Sequence, residues 1–295
     1  MSSKFVKLAL IGSAAIIGVS SLLYYYQNDM IYIPNYPSRE YRSPDNNPDG
    51  YKTPSERNIP YKDIHLKTSD GETLHCWLML QESRDVPTIL FFHANAGNMG
   101  MRMDVIEQFY KEIGVNVFII SYRGYGKSTG KPSEKGLQSD AEAAVSYLFN
   151  EDLILNKKKI FIYGSSLGGA VAIFTAWKFQ GLPFGGLILE NTFTSLPKLV
   201  DKLMPAISWL KWLVLANYWP SLNRIQEIKI PVLFISGVRD ELIPHGHMIE
   251  LKQAARQAKF TDWKLVKDGE HNTTWWKAGH NYPVWIREFI NRSIN

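Results

Sequence analysis

Short apolar runs recur along the chain after residue 60, and segments with helical spacing separate them. Five such runs occupy residues 88–92, 115–120, 160–163, 186–189 and 232–235. Continuous apolar runs of this length are typical of strands that are buried on both faces of a parallel sheet. Strand and helix in alternation therefore predict an α/β fold, with a mostly parallel central sheet and helices on both faces.

Two earlier strands are indicated at residues 61–68 and 72–80, where Ser69-Asp70-Gly71 forms a turn between them. This pattern predicts an antiparallel hairpin at the start of the sheet. A further strand is expected at residues 263–266. Helical spacing marks residues 134–149, 167–179, 247–258 and 282–294.

Residues 8–26 are uncharged and mostly apolar. At ~1.5 Å per residue, a helix of this length crosses roughly the hydrocarbon core of a bilayer. Tyr24, Tyr25 and Tyr26 end the run where an interfacial aromatic belt would lie, and no A-x-A-like cleavage site follows. The pattern favours an uncleaved, single-pass transmembrane helix over a signal peptide or a soluble helix. Organelle and orientation stay open.

The chain divides into three parts by composition. Residues 1–27 form the tail and membrane anchor. Residues 28–60 contain six prolines, which excludes a helix or central strand and indicates an extended connector. Residues 61–295 form the α/β domain, with a short lid at about 196–225. The lid is rich in apolar residues, so it either presents an apolar groove to a ligand or covers the sheet.

Composition narrows the function classes. The net charge is +5 among 295 residues, and the run Lys157-Lys158-Lys159 fits a solvated turn, so no nucleic-acid partner is expected. The single cysteine, Cys76, cannot form an intramolecular disulfide. A His-x-His pair at His245 and His247 has no further ligands nearby and fits the start of a helix better than a metal site. No metal or organic cofactor is implied.

Candidate chemistry begins at Ser166. Residues 164–168 read G-x-S-x-G between a buried strand and a helix. In this context the serine lies on a sharp turn that exposes its Oγ at the edge of the sheet, and the flanking residues must be small. Gly164 and Gly168 meet that demand. The neighbouring Ser165 does not, because Tyr163 lies two residues before it.

A serine hydroxyl needs a base to take its proton, and in this strand-turn-helix arrangement the acid and the histidine follow the serine in that order. Asp240 follows the strand at 232–235 and is the predicted acid, with Glu241 as the alternative. His271 follows the last strand and is the predicted base, with His280 in reserve.

Two backbone N–H groups are needed to stabilise the oxyanion that develops during acyl transfer. One is predicted at Leu167, directly after the nucleophile. The other is predicted in the loop after the strand at 88–92, where Asn95 is the first choice and Ala94 its neighbour.

The motifs in combination resemble the membrane-anchored α/β-hydrolase domain-containing proteins, with a close resemblance to the protein 13 branch and a more distant one to the protein 17 branch. The resemblance covers nearly the whole chain. One departure is Ala94, where the family usually has glycine, although alanine still exposes its N–H. The matching stretches are FFHANAGN (91–98), SYRGYGKSTGKPSEKGLQSDAEAA (121–144), YGSSLGGAVA (163–172), LENTFTS (189–195), SGVRDELIPHGH (236–247) and DGEHNTTW (268–275).

The resemblance implies an α/β-hydrolase fold and a serine hydrolase with Ser166, Asp240 and His271 as its triad. Relatives have been described as acyl-thioesterases, lipases or peptidases, so the substrate stays open. The expected partners are a lipid bilayer and an acyl ester or thioester. The alternatives are a serine peptidase with the same triad and a non-enzymatic membrane scaffold.

Overall fold

The computed structural model describes residues 3–83, 85–152, 154 and 156–295. Its centre is an eight-stranded sheet in the order β1-β2-β4-β3-β5-β6-β7-β8. The strands are β1 (Lys62–Lys67), β2 (Thr73–Met79), β3 (Thr88–Phe92), β4 (Asn116–Ile120), β5 (Ile160–Ser165), β6 (Gly186–Glu190), β7 (Val232–Gly237) and β8 (Thr261–Val266).

Strand direction follows the pattern expected from the sequence. Strand β2 pairs antiparallel with β1 and with β4, and the remaining neighbours from β4 to β8 are parallel. The predicted hairpin is confirmed, and Gly71 in its turn has φ +93°, a conformation that glycine adopts without strain. The five apolar runs all lie in buried strands, as their lack of alternation predicted.

Ten α-helical segments are found in the described residues. Five of them correspond to segments predicted as helical, and the other five were not predicted. One of the unpredicted helices lies in residues 103–113, where a short α-helix continues into a π-helical turn, Gln108–Ile113. The segments are α1 (Ser3–Ile31), α2 (Met103–Glu107), α3 (Glu134–Asn150), α4 (Leu167–Lys178), α5 (Leu196–Leu203), α6 (Lys211–Val214), α7 (Ser221–Ile225), α8 (Gly246–Ala254), α9 (Thr274–Lys277) and α10 (Asn281–Ile294).

Helices cover both faces of the sheet. On one face, the apolar side of α3 is buried in a cluster that also contains α4. On the other face, Ile286 and Phe289 of α10 pack with Phe109 in a second cluster. The α/β architecture with a helix layer on each side is therefore confirmed. Burial of α3 through Leu137, Ala141 and Leu148 follows the spacing that its sequence showed.

Helix α1 contains the whole apolar run predicted as a membrane anchor. No helix in the described part of the chain combines the length and the apolar character needed to cross a bilayer. The transmembrane span is therefore not confirmed and stays a prediction. Residues 1 and 2 of the predicted tail lie outside the described residues, as do the side chains at positions 3–6, 8, 9, 12 and 15.

The end of α1 docks onto the predicted lid. The Gln27 amide donates to the Val214 carbonyl oxygen at 2.9 Å, and the Ala216 N–H donates to Gln27 Oε1 at 2.7 Å. Within the lid, Leu210 and Trp219 are buried, whereas six large hydrophobic side chains are more than a third exposed among the described residues. The lid therefore covers the sheet with some residues and presents others outward. The exposed six are Leu203, Met204, Trp209, Trp212, Leu213 and Tyr218; the side chain at 207 lies outside the described residues.

Candidate active site

Ser166 lies on the turn between β5 and α4, with φ 55° and ψ −122°. The turn forces the two backbones together, which explains the glycines around it. A Cβ at Gly164 would lie 2.1 Å from the Gly168 carbonyl oxygen, and a Cβ at Gly168 would lie 2.1 Å from the carbonyl oxygen of Phe92. Both distances are far below van der Waals contact, so only glycine fits at these two positions.

Three residues predicted from the sequence form one hydrogen-bonded chain. His271 Nε2 lies 2.9 Å from Ser166 Oγ, and His271 Nδ1 lies 2.9 and 3.0 Å from the two carboxylate oxygens of Asp240. Each of the three residues is at most 8% exposed. Because an Nδ1–H that donates to Asp240 leaves Nε2 as an acceptor, the arrangement fixes the histidine tautomer that can take a proton from the serine.

The loop after β7 holds Asp240 in place. Its Oδ1 accepts the backbone N–H groups of Leu242 at 3.0 Å and Ile243 at 2.7 Å. Glu241 has a different contact, because its carboxylate accepts the backbone N–H of His271 at 3.1 Å and not a ring nitrogen. The side chain that faces the imidazole is therefore that of Asp240, and Glu241 supports the loop.

The other candidate histidines lie elsewhere. His280 is exposed beside α10. His245 and His247 lie at the start of α8, as predicted, where their Nδ1 atoms are 2.9 Å from Ser236 Oγ and 2.8 Å from Thr194 Oγ1. No cluster of three or more His, Cys, Asp or Glu side chains suited to a metal ion occurs within the described ranges.

The two residues predicted as oxyanion donors lie on different elements. Leu167 is the first residue of α4, where a backbone N–H has no acceptor inside the helix. The Asn95 side chain faces the segment after α1: its amide donates to the Ile31 carbonyl oxygen at 2.5 Å, and its oxygen accepts the N–H of Ile33 at 3.2 Å. Ala94, the neighbour considered with it, lines the cavity next to His271.

That cavity has a volume of about 70 Å³. Trp275 lines it, whereas Trp276 is exposed. Its wall also contains Arg102, which lies in no motif that indicated a functional role. The residues that matter for its chemistry are Ala94, Arg102, Tyr163, Glu190, His271 and Trp275.

Glu190 and Asn191, at the end of β6, are functional candidates that sequence reasoning missed. Glu190 is buried and accepts hydrogen bonds from the hydroxyls of Tyr163 and Tyr282. Burial raises the pKa of the Glu190 carboxyl, and the two tyrosine hydroxyls oppose that rise. A polar pair at the carboxyl end of a buried parallel strand was the available signal, because ligand sites in such sheets lie at these ends.

Asn191 connects the loops that carry Asp240 and His271. Its side-chain oxygen accepts the Gly237 N–H at 2.8 Å, and its amide donates to the His271 carbonyl oxygen at 3.1 Å and to Thr274 Oγ1 at 2.9 Å. Asn191 has φ 44°, a left-handed conformation that asparagine tolerates better than most residues.

Comparison with known proteins places the chain in a family. A family model described as alpha/beta hydrolase fold matches residues 87–221. Protein bem46 of Schizosaccharomyces pombe is 46% identical over 91% of this chain and 87% of its own length. The alpha/beta hydrolase domain-containing protein WAV2 of Arabidopsis thaliana is 39% identical, with coverage of 95% and 92%. A Saccharomyces cerevisiae relative, 37% identical over 97% of both chains, is described as an uncharacterized membrane protein.

The fold also matches solved structures. The esterase Pf2001 of Pyrococcus furiosus superposes with a TM-score of 0.69 at 24% identity, covering 81% of this chain and 93% of the esterase. At this identity the likeness concerns the fold alone. The relatives with higher sequence identity establish the family: the chain belongs to the α/β-hydrolase family. This confirms the resemblance found in its motifs.

Proposed function

Because the chain belongs to the α/β-hydrolase family, we propose that it is a serine hydrolase that cleaves carboxylic esters or thioesters through an acyl-enzyme. The observation that carries the proposal is the buried hydrogen-bonded chain Ser166–His271–Asp240. Such a chain is what converts a weakly nucleophilic hydroxyl into an effective nucleophile.

In the first half of the reaction, Ser166 Oγ attacks the substrate carbonyl carbon while its proton passes to His271 Nε2. Asp240 holds the imidazole in orientation and stabilises the imidazolium that forms. The tetrahedral intermediate then collapses, and His271 returns the proton to the departing alcohol or thiol. In the second half, water gives its proton to His271 and attacks the acyl-serine, which releases the carboxylic acid and restores Ser166.

Charge on the substrate oxygen needs donors that are already in place. The proposed donors are the N–H groups of Leu167 and Asn95, with Ala94 as the neighbouring candidate. The position of Leu167 in the first turn of α4 supports its role, since this N–H also benefits from the positive end of the helix dipole. The contacts of the Asn95 side chain with Ile31 and Ile33 hold the loop that carries the second donor.

Association with a lipid bilayer through α1 is part of the proposal. Leu10, Ile11, Ile17 and Leu22 on this helix are each more than 60% exposed. Gln27 joins the helix to the lid segment that presents Trp209, Trp212 and Leu213. Exposed apolar side chains on both the helix and the lid support a membrane contact, because large exposed apolar patches mark such contacts. The yeast relative described as a membrane protein agrees with this placement.

The proposal is tested by labelling the full-length protein with a fluorophosphonate probe. Wild type and Ser165→Ala are expected to take one probe molecule, and Ser166→Ala none, because only Ser166 lies 2.9 Å from His271 Nε2. Peptide mapping locates the adduct. Sedimentation of the labelled protein with membranes after an alkaline carbonate wash reports the association with lipid.

Turnover then separates the alternatives. Acyl esters, acyl-thioesters and peptides are offered to wild type and to Ser166→Ala. Peptide cleavage without ester or thioester turnover would make the protein a peptidase with the same three residues. Absence of both labelling and turnover in folded wild type would make it a non-enzymatic scaffold.

A further inference from the structure

Arg102 is a cation in the wall of the cavity beside His271. Its Nη2 donates to the carbonyl oxygen of Ala96 and, at 3.5 Å, to that of Ala94. Its Nε is buried without a hydrogen-bond partner among the described residues, and the hydrogen bonds that the guanidinium makes with them all come from Nη2. The guanidinium group thus uses only part of its donor capacity on the protein.

No carboxylate in the described chain neutralises this charge. Two acidic residues line the same cavity, but each is engaged elsewhere. Asp104 pairs with Arg57 at 2.7 Å, and the Glu190 carboxyl accepts hydrogen bonds from two tyrosines. Burial raises the pKa of Glu190 and lowers that of Arg102, which is the direction expected where the cation lacks an anionic partner.

A partly buried charge without a counter-ion is costly, and a planar guanidinium with free N–H groups matches a carboxylate in geometry. Phe91, Val105 and Trp275 add apolar surface to the same wall, and a charge pair beside apolar surface is stronger than one in open water. The cavity of about 70 Å³ holds roughly five waters at ~10–15 Å³ each, which is room for a carboxylate and a few carbon atoms.

From this geometry we infer that Arg102 forms an anion subsite, and that the preferred substrate carries a carboxylate a few atoms from the ester carbonyl. The inference rests on the proposed hydrolase function and names its substrate class. In the complex, Nη1 of Arg102 donates to the substrate carboxylate while Nη2 keeps the carbonyls of Ala94 and Ala96. The acyl half-ester of a dicarboxylic acid has the required size and charge.

The test compares anionic substrates with neutral ones of the same shape. p-Nitrophenyl hemisuccinate is paired with the levulinate ester for the acyl side, and 3-acetoxybenzoate is paired with 3-acetoxybenzamide for the leaving-group side. For each pair the measured quantity is the ratio of the two kcat/KM values. This ratio cancels any general loss of rate that follows from disturbing the loop at Ala94 and Ala96.

Wild type is expected to favour the anionic member of at least one pair by about tenfold or more, which is the effect of one charge-assisted hydrogen bond. Arg102→Gln should abolish that preference, and Arg102→Lys should restore part of it. The control Arg287→Gln, which removes one exposed positive charge on α10, should leave the ratio unchanged.

Equal turnover of both members by wild type, or a parallel loss for both in Arg102→Gln, would overturn the subsite while leaving the hydrolase function intact. Absence of any ester turnover in wild type would overturn the hydrolase function and the subsite with it. If Arg102→Gln fails to fold, the subsite is tested on wild type by protection against the probe. Glutarate should slow fluorophosphonate labelling of Ser166 more than the neutral glutaramide does. Equal protection by the two compounds would refute the subsite.

Discussion

The Asn191 side chain is expected to hold His271 in register with Asp240, and Asn191→Asp tests this directly. The substitution keeps the size of the side chain and tolerates the left-handed backbone at φ 44°. The carboxylate can still accept the Gly237 N–H. Its second oxygen, however, replaces an amide that donates to the carbonyl oxygens of His271 at 3.1 Å and Glu270 at 3.3 Å.

The expected loss of stability in Asn191→Asp follows from the burial of this side chain and from the loss of its amide N–H donors. Asn191 is 1% exposed, so the new charge has little access to water. An uncompensated charge in such a place costs about 3–5 kcal/mol. Burial and the facing carbonyl oxygens raise the pKa of the introduced carboxyl. The loss of stability should therefore be largest at alkaline pH and shrink as the pH falls and the carboxyl takes up a proton.

Stability is measured by urea unfolding between pH 5 and pH 8, and the rate of fluorophosphonate labelling is measured on the folded fraction. A shift of the His271 loop by about 1 Å should slow labelling by roughly tenfold to a hundredfold. The control is Asn150→Asp, which introduces the same group at an exposed position at the end of α3.

One result would refute this reasoning about Asn191. If Asn191→Asp unfolds within about 1 kcal/mol of wild type at pH 8 and is labelled at the wild-type rate, the amide does not position His271. A loss of stability that does not diminish toward pH 5 would assign the effect to packing and not to the buried charge.

Gly168→Ala should destabilise the protein by ~3 kcal/mol or prevent folding, because the new Cβ would lie 2.1 Å from the Phe92 carbonyl oxygen. The control is Gly181→Ala, whose Cβ would meet no atom within 4 Å. Similar melting temperatures for the two variants would contradict this prediction. Burial lowers the pKa of His93 from 6.5 to about 3. Its neutral form therefore stabilises the fold above pH 6.5, and that contribution is lost toward pH 3 at up to ~1.4 kcal/mol per unit. The free energy of unfolding, measured with urea, should fall less steeply below pH 6.5 in His93→Gln than in wild type or in the control His280→Gln. Equal slopes in the three proteins would refute this role of His93.

Much of the fold follows from local pattern. The buried strands could be predicted because strands covered on both faces need uninterrupted apolar residues. The turn at Ser166 was predictable for a similar reason, since the close approach of β5 and α4 demands glycine at positions 164 and 168. Helix 103–113 escaped prediction. It is short and changes from α to π geometry within eleven residues, so no single period describes it.

The candidate site was only partly predictable. Chain order alone indicated Asp240 and His271, but contact distances distinguish Asp240 from Glu241, which binds a backbone N–H instead. The roles of Arg102 and Asn191 could not be predicted. Asn191 contacts the His271 loop 80 residues away along the chain, and that contact depends on the order of β6, β7 and β8 in the sheet.

The sequence by itself determined what depends on near neighbours: the buried strands, the glycine-flanked turn at Ser166 and the uncharged apolar run at residues 8–26. Tertiary structure alone decided which distant side chains meet. It brought Asp240 and His271 to Ser166, left Arg102 without an acidic partner among the described residues, and attached α1 to the lid through Gln27. The physical reason is that backbone conformation responds to adjacent residues, whereas charge pairing and burial are properties of the assembled sheet and its loops.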